Sequence, residues 1–142
     1  MHICHVNLAS DFAGGERQTV NIIRYLSDKG VEQTLIAKPG HQMISELSGY
    51  PVNIRTASHF LLGHRRGDWD LVHCHDGKAA YWGVLQKFIH GTPYIITRRV
   101  ENPLKNKWAT RTAYSRASAV VCLSRAVKRS VNRLLPDAVC PI

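Results

Sequence analysis

The sequence lacks any long hydrophobic run. No stretch of its 142 residues approaches the roughly 20 consecutive apolar residues that cross a bilayer. The first twelve residues, MHICHVNLASDF, also lack the basic start and long apolar segment of a secretory signal. These absences predict a cytoplasmic protein. Its 44% hydrophobic and 20% charged content is typical of one soluble globular domain, long enough to bury a core.

Cysteine is scarce, with four residues far apart: Cys4, Cys74, Cys122 and Cys140. At least three lie in apolar, strand-like stretches, where cysteine acts as a small hydrophobic residue, so we predict buried free thiols. The His73-Cys74-His75 run resembles metal ligands. Neighbouring residues of a strand point to opposite faces, however, so these three cannot converge on one ion. No metal site is expected.

Acidic residues are also scarce, with 10 against 19 basic residues and a net charge of +9. The imbalance lies between residues 94 and 133, where ten basic residues accompany one acidic residue, Glu101. The remainder of the chain is balanced. This distribution predicts a cationic surface that faces nucleic acid, an anionic lipid surface or a phosphorylated ligand.

Apolar stretches alternate with helix-period segments along the chain. The strand candidates are Ile3–Leu8, Gln33–Ala37, Val52–Ile54, Leu71–Cys74, Tyr94–Thr97 and Ala119–Leu123. The helix candidates are Glu16–Ser27, Gln42–Leu47, Ser58–Arg65, Ala79–His90, Trp108–Arg116 and Ser124–Leu135. Strict alternation predicts an α/β fold, a doubly wound Rossmann-like parallel sheet with helices on both faces.

The helix predicted over 79–90 is apolar on more than one side. Tyr81, Leu85 and Phe88 are expected to face the core. Trp82 and Ile89 widen the apolar face, which leaves contact with a membrane or partner as an alternative.

Residues 1–142 are predicted to form one domain. The chain ends at residues 137–142 on what resembles the start of another strand. We therefore expect the domain to belong to a longer chain.

Three loops that follow predicted strands should meet at one edge of the sheet, where such folds bind ligands. In the first, Gly14 and Gly15 begin a helix, so backbone N–H groups and the helix dipole favour an anion; a simple tight turn is the alternative. In the second, His75 and Asp76 could form hydrogen bonds or transfer a proton; a half-buried histidine and a helix cap are the alternative.

The third loop lies in GTPYIITRRVENPLKN, at 91 to 106. A buried strand there runs into Arg98 and Arg99, which point to opposite faces if the strand persists, so at most one enters a cleft unless the chain turns. A guanidinium binds phosphate through two parallel hydrogen bonds, which favours a phosphorylated ligand. Asn102 and Lys105 follow in the same loop, although solvated charge is the alternative for Lys105.

Four segments in this order resemble one known family. They are GGERQ at 14–18, DLVHCHDGKAAYWG at 70–83, TPYIITRRVENPLKN at 92–106 and ASAVVCLSRAVKRSV at 117–131. Together they resemble the N-terminal domain of family 4 glycosyltransferases, which have the GT-B fold. The resemblance implies a retaining transferase that moves a sugar from a nucleotide-sugar donor to an acceptor, with no metal or other cofactor. In that fold the N-terminal domain mainly holds the acceptor, and a C-terminal domain, absent from these residues, holds the nucleotide.

The resemblance also implies roles for residues. Gly14 and Gly15 match a glycine loop near the donor phosphates, and His75 and Asp76 match a loop that lines the cleft. The catalytic candidates are therefore His75, Asp76 and Arg99, and the acceptor-binding candidates are Lys78, Arg98, Asn102 and Lys105.

Two departures from the family pattern matter. Many members place a histidine after the strand that corresponds to Tyr94–Thr97, where this chain has Arg99, or Arg98 if the register slips by one. An arginine suits a charged group better, so we expect a phosphorylated or acidic acceptor, as in lipopolysaccharide core or other surface-glycan assembly. Members also carry two glutamates eight positions apart in the nucleotide half, and this chain has no such pair. We therefore expect negligible transfer by these 142 residues alone.

The alternative from another class is a basic Rossmann-like binding module for an anionic membrane or nucleic acid. Within the basic segment 94–133 only Tyr94, Trp108 and Tyr114 could stack on bases, and no nucleic-acid motif is recognised, so nucleic acid is not expected as a partner. Membrane binding is compatible with a transferase at the inner face of the cell membrane, because the glycan acceptor can be lipid-linked. A dinucleotide-dependent enzyme is disfavoured, since no Gly-x-Gly-x-x-Gly follows the first strand.

Overall fold

The sheet and its helices follow the alternation of the sequence closely. A computed structural model of the chain describes residues 1–136, 138 and 140. Within these residues the strands are β1 (His2–Asn7), β2 (Glu32–Ala37), β3 (Val52–Thr56), β4 (Leu71–Cys74), β5 (Tyr94–Arg98) and β6 (Ala119–Cys122). The helices are α1 (Gly14–Asp28), α2 (Gln42–Glu46), α3 (Gly77–His90), α4 (Trp108–Ser115) and α5 (Arg125–Leu134). Each of the six predicted strands is confirmed, with ends that differ by at most two residues.

All strand pairs are parallel, and the order across the sheet is β3-β2-β1-β4-β5-β6. The chain winds outward in one direction from β1 to β3, then crosses back to β4 and winds outward the other way. The order therefore reverses between β1 and β4, and the predicted doubly wound fold is confirmed. In such sheets the carboxyl ends of the strands beside the reversal open a crevice for ligands.

Both faces of the sheet are covered, as a parallel sheet requires. On β2, Leu35 and Ala37 pack with Val20 and Ile23 of α1, whereas Ile36, between them, joins the larger cluster on the opposite face. That larger cluster includes buried residues of α3, α4 and α5. The four cysteines are buried and free, as predicted.

The prediction of a helix over residues 58–65 is wrong. The segment forms turns, and Gly63 adopts a positive φ of 81°. The segment is held against α3, because the Trp82 indole donates to the Leu62 carbonyl (2.8 Å) and the Gln86 amide donates to the Arg65 carbonyl (2.7 Å). These tertiary hydrogen bonds and the positive φ of Gly63 accompany the turn in place of a helix.

The core-facing side of α3 also differs from the prediction. Trp82, Gly83 and Gln86 are buried, whereas Phe88 is 60% exposed and Ile89 is 58% exposed. The prediction that Phe88 faces the core is therefore wrong. The small Gly83 lets α3 approach β4 and β5 closely, because a Cβ there would meet Cys74 and Tyr94. Asp76 caps α3, which was the alternative given above for this residue, and Ser124 caps α5.

Two further points concern the ends and the apolar content of the chain. Of the strand predicted over residues 137–142, only residues 138 and 140 are described, and neither is assigned to a strand; the other positions lie outside the described residues. Across the part of the chain that is described, none of the helices combines the length and apolar character needed to cross a bilayer.

Candidate functional site

The carboxyl ends of β1 and β4 are joined by Asp76. One carboxylate oxygen of Asp76 accepts hydrogen bonds from the backbone N–H of Leu8 (3.0 Å) and of Ala79 (3.1 Å). Asp76 therefore caps α3 and ties the loop after β1 to the start of that helix. Burial raises the pKa of Asp76, and these N–H groups oppose the rise. These contacts give Asp76 a structural role, and its predicted catalytic role stays a prediction.

Arg99 crosses the crevice from β5 toward α1. Its Nε donates to Oε1 of Gln18, one terminal nitrogen donates to the His75 carbonyl (3.0 Å) and the other donates to His75 Nδ1 (3.3 Å). A guanidinium has five N–H groups, so one N–H on each terminal nitrogen is left for a ligand. Burial lowers the pKa of Arg99, while Glu16 and Asp76 raise it.

A cavity of about 290 Å³ opens beside Arg99, and we call it the arginine cavity. It is lined by Gly15, Glu16, His75, Asp76, Gly77, Thr97, Arg98, Arg99, Val100 and Tyr114. Gly15 lies close to Arg99, since a Cβ at position 15 would stand 3.7 Å from the Arg99 Cδ. Gly14 is not among the residues that line the cavity, so of the predicted glycine pair only Gly15 contributes directly.

Arg98 separates the arginine cavity from a second one. Its terminal nitrogens donate to the Tyr114 hydroxyl (3.2 Å) and the Asn102 carbonyl (2.6 Å). Its buried Nε has no partner among the described residues. Both arginines therefore border the crevice, because the chain leaves the extended conformation after Arg98 and the rule of opposite faces no longer applies.

The second cavity, of about 430 Å³, contains every predicted acceptor-binding residue, and we call it the basic groove. Lys78, Arg98, Asn102 and Lys105 line it together with Gly77, Tyr81, Val100, Pro103, Leu104, Thr110 and Tyr114. Four of these residues also line the arginine cavity: Gly77, Arg98, Val100 and Tyr114. The two cavities are therefore adjoining parts of one cationic crevice.

Among the described residues, the basic side chains of the crevice form no direct ion pair, although Glu16 and Asp76 line the arginine cavity and act on Arg99 at longer range. Over residues 1–136, 138 and 140, the ion pairs are His2–Glu32, Arg24–Glu46 and Arg65–Asp68. None of them includes a basic residue of the 94–133 segment. An anionic ligand would thus meet arginine and lysine groups that have no carboxylate to displace.

Three histidines lie beneath the arginine cavity, and sequence reasoning missed one of them. His5 is fully buried and its Nδ1 lies 3.0 Å from Nε2 of His75. The His73 and His75 rings are tilted by 32° with centroids 3.9 Å apart, and Nε2 of His73 bonds Oγ1 of Thr97 (2.6 Å). A polar residue at each of positions 5 and 33, inside otherwise apolar strands, was the available sign of this cluster.

The three histidines are close enough together to be possible ligands of one metal ion, since one nitrogen from each ring lies within 4.8 Å of the others. Both ring nitrogens of His5 and of His75 already have hydrogen-bond partners. The cluster forms a hydrogen-bonded network, and the expectation that the chain holds no metal stays a prediction.

An exposed apolar patch adjoins the basic groove at Tyr81. It surrounds a cavity of about 250 Å³ formed by Phe60, Leu61, Tyr81, Val84, Leu85, Phe88, Trp108, Ala109 and Thr112, and we call it the apolar patch. Trp108 is 81% exposed and Leu61 is 61% exposed. The Arg116 guanidinium lies 5.4 Å from the Phe88 ring centroid, so cationic groups border the patch.

Comparisons with known proteins agree with this geometry. The family model described as Glycosyltransferase Family 4 matches residues 12–140. No curated protein sequence matches the chain significantly. Among solved structures, Anabaena HepE in complex with UDP and glucose aligns over 95% of this chain and 41% of its own, with a TM-score of 0.70 and 17% identity. The apo form of WaaB, a lipopolysaccharide outer core galactosyltransferase, aligns over 100% of this chain and 45% of its own (TM-score 0.67, 16% identity).

A third structure has the same fold. Acinetobacter baumannii MurG aligns over 85% of this chain and 40% of its own, with a TM-score of 0.60 and 15% identity. At these identities the likeness shows the fold, which is that of the N-terminal GT-B domain. The chain spans less than half the length of each of these three proteins.

Proposed function

The chain belongs to Glycosyltransferase Family 4, and from this premise we propose that it forms the acceptor side of a sugar-transfer cleft. The sugar passes from a nucleotide-sugar to a glycan or lipid-linked acceptor, with retention of the anomeric configuration and without a metal. The observation that carries the proposal is the crevice at the reversal point of the sheet, where the arginine cavity meets the basic groove and where the arginine and lysine side chains form no direct ion pair among the described residues.

Two features support contact with the donor in the arginine cavity. The first turn of α1 presents Gly15, where backbone N–H groups and the helix dipole favour a phosphate. Arg99 keeps two N–H groups for a ligand, which suits the charge that develops on a departing nucleotide diphosphate. HepE, which shares the fold, has been solved with UDP-glucose. In this proposal Gly14 and Gly15 lie near the donor phosphates and Arg99 contacts the reacting groups.

The basic groove supports an anionic acceptor. Lys78, Arg98 and Lys105 supply positive charge, and Asn102 supplies polar contacts. Tyr81 and Leu104 add the apolar surface on which a sugar ring can pack. A phosphorylated or acidic sugar fits this combination better than a neutral one, because hydrogen bonds between a cationic donor and an anionic acceptor are stronger than neutral ones.

We further propose that the apolar patch docks on an anionic membrane at the cytoplasmic face. Exposed Trp108, Phe88 and Leu61 can enter the interfacial region of a bilayer, where tryptophan is favoured. Arg116 and Lys87 beside the patch complement anionic headgroups. The patch meets the basic groove at Tyr81, so a lipid-linked acceptor could place its chain in the patch and its charged head in the groove.

The test is a nuclear magnetic resonance titration of the 142-residue chain with four probes: glucose 6-phosphate, glucose, UDP-glucose and a duplex DNA oligonucleotide. We expect saturable shifts from glucose 6-phosphate at residues 75–78 and 98–105, and weaker ones from glucose. UDP-glucose should shift Gly14 and Gly15. Absence of saturable shifts from both phosphate-bearing sugars would overturn the proposal. Tight DNA binding with a steep salt dependence would instead favour a nucleic-acid module.

A further inference from the structure

A continuous line of hydrogen bonds runs from Arg99 in the crevice to the inner side of α1. Arg99 bonds His75 Nδ1, His75 Nε2 bonds His5 Nδ1 (3.0 Å), and His5 Nε2 bonds Oε1 of Gln33 (2.8 Å). The Gln33 amide nitrogen then bonds the Ile23 carbonyl at 3.0 Å. Arg99 directly follows β5 and His75 directly follows β4, whereas His5 lies on β1 and Gln33 on β2. The line therefore passes across four neighbouring strands of the sheet.

The chemistry at the two ends fixes the direction of every bond. A guanidinium only donates, so Nδ1 of His75 must accept. The Ile23 carbonyl only accepts, so the Gln33 amide nitrogen must face it and Oε1 must face His5. His75 therefore carries its proton on Nε2 and donates to His5, which carries its own proton on Nε2 and donates to Gln33. Neutral rings satisfy every partner.

Protonation would break this arrangement. A proton on Nδ1 of His75 would face an N–H of Arg99, and two like charges would share a buried site. Burial lowers the pKa of His5 to about 4 and that of His75 well below its usual value, which agrees with neutral rings. The charged and titratable groups around His75 are His5, His73, Arg99 and, beyond the guanidinium, Glu16 and Asp76.

We propose that His5 and Gln33 are positioning residues that, through neutral His75, hold the Arg99 guanidinium at the mouth of the crevice. The inference depends on the proposed function only for the nature of the ligand that Arg99 binds. Gln18 and the His75 carbonyl hold the other sides of the guanidinium. The line of hydrogen bonds keeps the proton of His75 on Nε2, so that Nδ1 presents an acceptor and never a donor to Arg99. His75 then acts as a support for Arg99, since both its ring nitrogens are occupied.

The first measurement needs no ligand and no variant. Long-range proton–nitrogen spectra of the ¹⁵N-labelled chain report which nitrogen of each histidine carries the proton. We expect His5 and His75 to be neutral with the proton on Nε2, and the terminal N–H of Arg99 that bonds His75 Nδ1 to be visible and protected from exchange. A proton on Nδ1 of His75 would overturn the proposal. Stoichiometric Zn²⁺ that shifts the ring nitrogens of all three histidines would overturn it in favour of a metal centre.

The second measurement uses His5→Phe, with Gln33→Met as a milder change and His73→Phe as the control. His73→Phe removes an imidazole from the same cluster but lies outside the line. His5→Phe and Gln33→Met should each lose exchange protection at the terminal N–H of Arg99 that bonds His75 Nδ1 and weaken glucose 6-phosphate binding about fivefold, the loss of roughly one hydrogen bond. His73→Phe should change neither the exchange protection at Arg99 nor the affinity for glucose 6-phosphate. Unchanged Arg99 protection in both test variants would overturn the proposal.

The two proposals fail in different ways. If the unmodified chain binds no phosphate-bearing sugar, the proposed function fails, and the ligand-free tautomers and Arg99 protection still decide the positioning role. If the sugar binds but Arg99 is insensitive to His5 and Gln33, only the positioning role fails.

Discussion

Gly83 of α3 lies directly against Cys74 of β4. A Cβ at position 83 would stand 2.6 Å from the Cys74 Sγ and 2.9 Å from an aromatic carbon of Tyr94. Real Cβ atoms do not approach other atoms so closely, so α3 can pack at this distance only with glycine at the contact. The close approach sets the rotation of α3, and thereby exposes Phe88 in the apolar patch.

Gly83→Ala is therefore expected to destabilise the fold. The added methyl group must push apart buried, well-packed neighbours, which costs about 1–3 kcal/mol despite the better helix propensity of alanine. Urea unfolding monitored by circular dichroism measures the change. Gly77→Ala, in the first turn of the same helix with no heavy atom within 4 Å of the added Cβ, is the control. Equal stability of the two variants would contradict this account of the packing.

Arg98→Ala and Arg99→Ala should each weaken binding of glucose 6-phosphate about tenfold, because each removes charge-assisted hydrogen bonds. Arg99→Lys should not restore affinity, since a lysine cannot reproduce the bonds to Gln18 and His75. Isothermal titration calorimetry measures both effects. Arg125→Ala, an exposed change of the same charge on α5, is the control. If all three alanine variants lose affinity equally, net charge rather than the crevice determines binding.

Trp108→Ser should reduce binding to vesicles that contain phosphatidylglycerol about tenfold, because it removes a large aromatic side chain from the bilayer interface. Binding by the unmodified chain should also weaken as salt increases. Vesicle co-sedimentation measures both. Tyr25→Ser is the control, as Tyr25 is 61% exposed on α1, away from the patch. A different result would identify the patch as an interface between copies of the chain. In that case the unmodified chain would not bind vesicles but would dimerise as its concentration increases, and Trp108→Ser would abolish the dimer.

Acid should destabilise the chain through its buried histidines. Burial lowers the pKa of His5 to about 4 and that of His73 to about 3, from 6.5 in the unfolded chain. Below about pH 6.5 the unfolded state binds more protons, so the free energy of unfolding should fall toward pH 4, by about 3 kcal/mol from His5 alone. Asp76 acts in the opposite direction, because its raised pKa lets the folded state take up that proton first.

Urea unfolding at several pH values between 7.5 and 4 measures this dependence. His73→Phe removes one titrating group, so its stability should fall less steeply over the same range. A stability that is constant from about pH 6.5 to about pH 4 would mean that the three rings are not buried as neutral groups.

The 142-residue chain alone should show negligible transfer from UDP-glucose to glucose 6-phosphate. Groups from both sides of a cleft must meet the transition state, and this chain supplies one side. A coupled enzyme assay that detects the released UDP measures turnover. Sustained turnover above the rate of a buffer control would contradict the assignment of this domain to the acceptor side.

Local sequence patterns were sufficient for the strands and for the edge of the sheet at which the crevice lies. The alternation of apolar and helix-period segments predicted all six strands, because the period of a side-chain pattern reflects local backbone geometry. Asp76 and Ser124 were recognisable as caps for the same local reason. The basic groove was also foreseeable, since its predicted residues follow parallel strands whose carboxyl ends share one edge.

Contacts between distant segments could not be derived in this way. His5 and His75 are separated by 70 positions and Arg99 and Gln18 by 81, and their pairing depends on strand order and register. The segment 58–65 forms turns that bond to side chains of α3, a contact that its local pattern did not indicate. The sequence by itself thus determined the α/β class, the family resemblance and the cationic edge. Only the tertiary structure decided that both arginines border the crevice, which side of α3 is exposed and that a buried histidine contacts Arg99, because side-chain partners across a sheet are set by packing rather than by local period.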